Sequence, residues 1–140
     1  MKRGLVMIQI RLLILIAFLF AQPVLGQDAL QLIQTGNRFF EQNEYYNAIK
    51  FYKDALKLED DNQAFAYFQL GECYRYLQDY AAAEYNYLQA DNLNDNRYPL
   101  AKFHYASMLK RNGKYEKALP VFEKFIENIQ KYFDDNELYR

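Results

Sequence analysis

The chain holds one histidine (His104), one cysteine (Cys73), one serine (Ser107) and one threonine (Thr35). Nucleophilic catalysis is built from such side chains, because a thiol or hydroxyl needs a neighbouring base to take its proton. With one copy of each, Cys73 and His104 are the pair to weigh. Both fall on stretches of helical periodicity, and His104 stands beside Phe103 among apolar residues, so packing is the expected role of each. The paired carboxylates Asp60-Asp61 and Asp134-Asp135 are the remaining candidates, as metal ligands. They are contiguous and lie where turns are expected, so capping and solvation explain them. Neither a metal nor a cofactor site is read, and a lone cysteine excludes an internal disulfide. The expectation is a protein that is not an enzyme.

What the chain has in quantity is aromatic: 14 Tyr and 11 Phe, with no Trp, in 140 residues. At helical spacing most of these are expected in a core or along a groove wall. The length fits a single domain. The charge is nearly balanced, with 17 Lys and Arg against 18 Asp and Glu. The balance is uneven along the chain. Residues 1–26 carry Lys2, Arg3 and Arg11 and no acid, so the remainder has 14 bases against 18 acids. No basic field for nucleic acid is present.

Those first residues, MKRGLVMIQIRLLILIAFLFAQPVLG, read as an export signal. Lys2 and Arg3 form the basic start, Leu12 to Ala21 is an unbroken apolar run, and Pro23 ends it. Cleavage is expected between Gly26 and Gln27. The alternative is a retained anchor, but a membrane span needs roughly 20 apolar residues, and Arg11 interrupts the run. The expected mature protein is exported and begins at Gln27, without stable membrane insertion.

The rest of the chain repeats itself. Tyr45, Tyr80 and Tyr115 are 35 residues apart, as are Ala48, Ala83 and Ala118, and as are Tyr52, Tyr87 and Phe122. Ala55 and Ala90 keep the interval, and Phe125 takes the third place. A fixed period of this length is the signature of a solenoid. Within each unit, apolar residues spaced by three and four fit two helices: Ile33, Phe39 and Phe40, then Ala48, Tyr52, Ala55 and Leu56 in the first. Polar turns at Gln42-Asn43-Glu44, Gln78-Asp79 and Asn112-Gly113-Lys114 divide the halves, and Gly113 suits a left-handed helix end. Asp60-Asp61-Asn62 and Asn94-Asp95-Asn96 divide the units and are expected to cap the following helices. Pro99 is expected in the first turn of its helix. The reading gives helices near 29–42, 45–58, 63–77, 80–93, 98–111 and 115–132. Small residues at Gly36, Gly71 and Ala106, and at Ala48, Ala83 and Ala118, allow the helices of a unit to approach closely.

This pattern resembles the tetratricopeptide repeat over about residues 29–132. The small residue of the first helix is matched by Gly36, Gly71 and Ala106. The aromatic three further on is matched by Phe39 and Tyr74, with Leu109 departing. The Ala-x-x-x-aromatic-x-x-Ala pattern is met by Ala48, Tyr52, Ala55 and by Ala83, Tyr87, Ala90. The usual proline at the unit end is replaced by Asp60 and Asp95. The resemblance implies an all-α, right-handed solenoid of three helix pairs (about 29–63, 64–98 and 99–132), with 134–140 as a cap or the start of a further helix. It also implies a concave groove lined by the first helix of each pair. In this register the groove positions are Asn37, Phe40, Glu41, Phe68, Glu72, Arg75, Tyr76, Phe103, Ser107, Lys110 and Arg111, a wall of aromatics and charges that suits a protein or peptide partner. One subclass of the family grips a C-terminal carboxylate through basic and Asn residues. The matching places here are Ile33, Asn37, Gln69, Leu100 and His104, of which only Asn37 fits, so that function is not expected.

The Tyr- and Asn-rich repeats behind a signal segment are also similar to the N-terminal repeat region of Gram-negative envelope proteins of the outer-membrane-protein-A-like type. That similarity implies a scaffold in the periplasm or at the outer-membrane periphery, in assembly or secretion. The alternative reading is a self-associating structural protein of the envelope.

Overall fold

A computed structural model describes residues 28–58 and 60–135, with side chains as far as residue 130. The expected signal segment, 1–26, and residues 136–140 lie outside the described part. Six α-helices follow one another: α1 (Ala29–Glu41), α2 (Tyr45–Leu56), α3 (Gln63–Tyr76), α4 (Tyr80–Asn92), α5 (Ala101–Arg111) and α6 (Tyr115–Asp135). The described residues contain no strand. Among the described residues, substantial packing occurs only between consecutive helices, the quasi-one-dimensional arrangement of a solenoid.

The turns inside the three pairs share one geometry. Asn43, Gln78 and Gly113, 35 residues apart, all take a left-handed backbone with φ of 61°, 62° and 74°. In each, two amides fold back on the helix end. Asn43 N–H donates to Phe40 O and Glu44 N–H to Phe39 O; Gln78 and Asp79 do the same to Arg75 and Tyr74, and Gly113 and Lys114 to Lys110 and Leu109. This Schellman pattern satisfies the last carbonyls of α1, α3 and α5. Gly113 meets the expectation, while Asn43 and Gln78 hold the same conformation without glycine's freedom. A left-handed non-glycine residue costs roughly 1–2 kcal/mol.

The turns between pairs correct the sequence reading. Asp60 accepts from Asn62 N–H at 2.9 Å and from its side-chain amide at 2.8 Å, and Asn62 makes no side-chain cap to α3. Asp95 accepts from Arg97 N–H at 2.9 Å and binds its guanidinium. These carboxylates fasten their own turns instead of capping a helix. The side-chain caps are elsewhere: Asp28 accepts from Gln31 N–H at 2.7 Å, and Asp79 from Ala82 N–H at 3.1 Å. Pro99 also lies outside its helix. Ala101 N–H donates to Tyr98 O, so Pro99 and Leu100 are the central residues of a turn, where proline's fixed φ is favourable, and α5 starts at Ala101. At the other end, α6 runs to Asp135. Asp134 and Asp135 are therefore helical, not in a turn. Pro120 stands inside α6 and leaves the Glu116 carbonyl without its usual helical donor.

Close approach within the pairs is set by glycine against tyrosine. A Cβ at Gly36 would sit 2.7 Å from the Tyr52 ring, and one at Gly71 would sit 2.7 Å from the Tyr87 ring. Both rings are fully buried, as are Ala48 and Ala83 beside them. Each ring reaches the residue after its glycine: Tyr52 Oη donates to Asn37 Oδ1 at 2.7 Å, and Tyr87 Oη donates to Glu72 Oε1. The third pair differs. Ala106 has a Cβ, Phe122 has no hydroxyl, and Ser107 turns back to donate to Phe103 O at 2.9 Å.

Candidate partner-binding groove

Side-chain contacts tie the first helices α1, α3 and α5 into one surface. Phe40 of α1 meets Tyr76 of α3 edge-on at 5.7 Å, and Phe68 of α3 meets His104 of α5 edge-on at 5.6 Å. At the α1 side, Tyr45 and Tyr76 stack at 5.0 Å with an interplanar angle of 2°, and Phe40 stands against both. The Arg75 guanidinium lies 4.4 Å over the Tyr76 ring. Tyr76 stays about half exposed, so this cluster forms a shelf of fixed aromatics with a cation on top.

Glu72 lies at the centre. Its carboxylate pairs with Arg75, accepts from the Tyr87 hydroxyl, and lies 3.9 Å from His104 Nδ1. Burial pushes its carboxyl up, but the bonded guanidinium and hydroxyl outweigh burial and hold it below the ordinary glutamate value. Arg75 is held more firmly protonated, chiefly by its bond to Glu72. Burial, then the bond to Glu72, raises the Tyr87 hydroxyl. His104 stacks on Tyr87 at 5.0 Å and 18°. Burial lowers its pKa, Arg75 adds to that, and Glu72 opposes it. His104 thus packs as a neutral ring, as its setting in the sequence implies. Cys73 is fully buried, and burial with the Glu72 charge pushes its thiol up to about 12, far from the thiolate a nucleophile needs. The two residues best suited to catalysis hold packing roles.

The eleven residues expected along the groove separate by depth. Phe40, Phe68, Glu72, Arg75 and Tyr76, joined by Phe103, form the connected centre. Asn37 and Glu72 are engaged inward by Tyr52 and Tyr87, so they anchor the wall more than they offer free polar atoms. Phe103 is partly exposed beside His104, Phe122 and Phe125. Glu41 and Lys110 are exposed, and Ser107 spends its hydroxyl on its own helix. Arg111 lies 5.0 Å over the Tyr80 ring and donates to its hydroxyl at 3.3 Å, repeating for the next pair the seat of Tyr76 on Tyr45. The groove positions read from sequence omit Tyr45 and Tyr98, which are also parts of this surface. Tyr98 stacks on Phe68 at 5.9 Å. The 35-residue spacing of Tyr45 and Tyr80 is the available signal for the first; Tyr98 sits in an inter-pair turn and carries none.

Comparison with known proteins agrees with this geometry. The family model described as the tetratricopeptide repeat matches residues 66–97 and 101–132. The chain is 33% identical over 94 residues to Protein unc-45 homolog B of Xenopus tropicalis and 32% identical over 94 residues to that of Xenopus laevis. Both alignments cover 66% of this chain, which spans 10% of the length of those relatives. Among solved structures, the first tetratricopeptide domain of Spaghetti (RPAP3), bound to the HSP90 peptide SRMEEVD, superposes with a TM-score of 0.62 at 28% identity, covering 72% of this chain and 79% of that one. Tetratricopeptide repeats thus occupy residues 66–97 and 101–132, and the chain has the tetratricopeptide-like helical solenoid fold.

Proposed function

We propose that the chain is a non-enzymatic scaffold that binds an extended protein segment along the surface of α1, α3 and α5. The observation that carries this reading is the fixed Arg75–Tyr76 pair at the centre of that surface. Arg75 is locked by Glu72 and Tyr76 is locked by Tyr45 and Phe40, so little side-chain freedom remains to be lost on binding. Arginine and tyrosine are also the types that most often dominate interfaces. The solved neighbour carries a peptide, which supports the class of partner. Its acidic peptide is not the ligand proposed here, because Ile33, Leu100 and His104 offer no fixed cation at the places where a carboxylate grip would need one, and Gln69 stands where it would need Asn.

The proposed setting is outside the inner membrane, in the periplasm or at the outer-membrane periphery, with a role in assembly or secretion. Export rests on residues 1–26, and the outer-membrane role on the similarity of the Tyr- and Asn-rich repeats to those of envelope proteins of the outer-membrane-protein-A-like type. No helix among the described residues is long and apolar enough to cross a membrane. Capture of partners from envelope extract on residues 27–140, followed by calorimetric titration of the captured partner, tests the binding reading. Arg75→Ala with Tyr76→Ala should cost about 2 kcal/mol or more of binding, while Lys50→Ala with Lys53→Ala, two exposed changes on α2, should leave it unchanged. The opposite pattern would place the partner on the other side of the solenoid. Retention of residues 1–26 in the mature protein, read by intact mass, would contradict the export reading.

A further inference from the structure

The outward side of α6 repeats a surface that the chain uses twice to hold one pair on the next. Tyr45, Ile49 and Leu56 on α2 recur at the same register as Tyr80, Glu84 and Asp91 on α4, and as Tyr115, Leu119 and Ile126 on α6. In the first pair this surface receives α3: Tyr45 stacks on Tyr76, and Ile49 is buried in the cluster that holds Leu70 and Cys73. In the second it receives α5 and the turn after it. Arg111 covers Tyr80, Glu84 binds Lys114 at 2.7 Å, and Asp91 binds Lys102 at 2.9 Å. In the third, Tyr115, Leu119 and Ile126 are 66%, 61% and 55% exposed. Among the described residues, α6 packs substantially only on α5.

The edge of this face has a sign. At 3.6 residues per turn, Glu116, Glu123 and Glu127 fall beside the Leu119–Ile126 stripe on its solvent side, whereas Lys117 and Lys124 fall on the far side of the helix. All five are exposed. A second copy apposed antiparallel through the same face would set these acidic edges against each other. An incoming helix with an apolar stripe and a basic edge would satisfy both features.

We infer that the outward face of α6 is a second docking surface, separate from the groove, and that it takes a cationic amphipathic helix from a partner protein. Such a helix lies against Tyr115, Leu119 and Ile126 as α3 lies against Tyr45, Ile49 and Leu56, with its basic edge along Glu116, Glu123 and Glu127.

The test uses the chain from Gln27 to Arg140 and a fluorescein-labelled, helix-forming peptide of leucine and lysine with leucine at every third and fourth position. Its counterpart with glutamate for lysine serves as control. Binding is read by anisotropy. The lysine peptide should bind and the glutamate peptide should not. Leu119→Asn with Ile126→Asn should weaken binding about tenfold or more; both side chains are more exposed than buried, and circular dichroism checks that the fold is kept. Glu116→Gln with Glu123→Gln and Glu127→Gln should weaken binding and flatten its salt dependence. Equal binding of both peptides, or unchanged binding by the Leu119–Ile126 variant, overturns the inference. So does a dimeric wild-type chain that becomes monomeric in that variant, because a second copy would then be the occupant.

Discussion

The first two helix pairs and the third are written in the same register but hold themselves together differently. In the first two, a glycine admits a buried tyrosine ring, and the ring's hydroxyl is satisfied by the residue after that glycine, Asn37 or Glu72. In the third, Ala106 replaces the glycine and Phe122 the tyrosine, the ring is only partly buried, and Ser107 bonds its own helix. In the first two pairs the buried polar bond is tolerated because it is fully paired; the third pair does without one. The proposed binding centre, with Arg75 paired to Glu72, lies on the middle pair.

Removing a ring should separate the two regions most. Tyr87→Ala should cost about 3–5 kcal/mol, and Phe122→Ala distinctly less, because Phe122 is not fully buried; denaturant midpoints measure both. Equal losses would mean that the pairs are equivalent in packing. Overfilling comes next. Gly71→Ala places a methyl group 2.7 Å from the Tyr87 ring and should cost about 1–3 kcal/mol. Ala106→Gly, in the matching place of the third pair, should cost about 0.5–1 kcal/mol from helix entropy. Ala83→Trp belongs with the first of these, because Ala83 is fully buried. Its control should be Asn96→Trp, not a change at Asn94, whose φ of 49° would add strain of its own.

Acid should act where the third pair meets the middle one. His104, the only histidine of the chain, has its pKa lowered in the fold. Below about pH 6.5 the unfolded chain takes up a proton that the folded chain refuses. Stability should therefore fall as pH drops from about 6.5 toward the folded value. Glu72, also lowered, contributes stability above about pH 4.3 that is lost as pH falls through its folded value. His104→Phe should flatten the upper step and leave the lower one. An unchanged slope between pH 7 and 5 in that variant would assign the effect elsewhere. The smallest difference is in the turns. Gln78→Gly should stabilise by about 0.5–1 kcal/mol, since glycine takes the left-handed backbone freely, and Gly113→Gln should lose a similar amount; thermal midpoints would show either sign.

Much of this fold can be read from spacing. Ala48, Ala83 and Ala118 mark the second helices, and all three are buried. The helix ends are harder, because the residues that make them are chosen for local bonds that periodicity does not record. Asp60 and Asp95 look like caps by type but bind their own turns, while Asp79, read only as turn, caps α4. Pro99 is read as helical from its position, yet the Tyr98–Ala101 hydrogen bond makes it a turn residue. In the groove, the register selects positions on the first helices but not what each side chain does there. Arg75 and Tyr76 stand on the surface as expected. Glu72 is drawn inward by a tyrosine fifteen residues on, a pairing visible only when the two helices are laid together. Tyr45 belongs to the second helix, so a rule that assigns the groove to first helices passes over it.

The most direct test of the account works on a partner whose identity is still open. A photo-reactive phenylalanine analogue is placed singly at Tyr76, at Phe103 and at Tyr85, the last an exposed tyrosine on α4, in cells that make the protein at its natural level. On illumination, Tyr76 and Phe103 should yield the same cross-linked partner, and Tyr85 should yield none. The same adduct from Tyr85, with nothing from the other two, would contradict the assignment of α1, α3 and α5 as the binding surface.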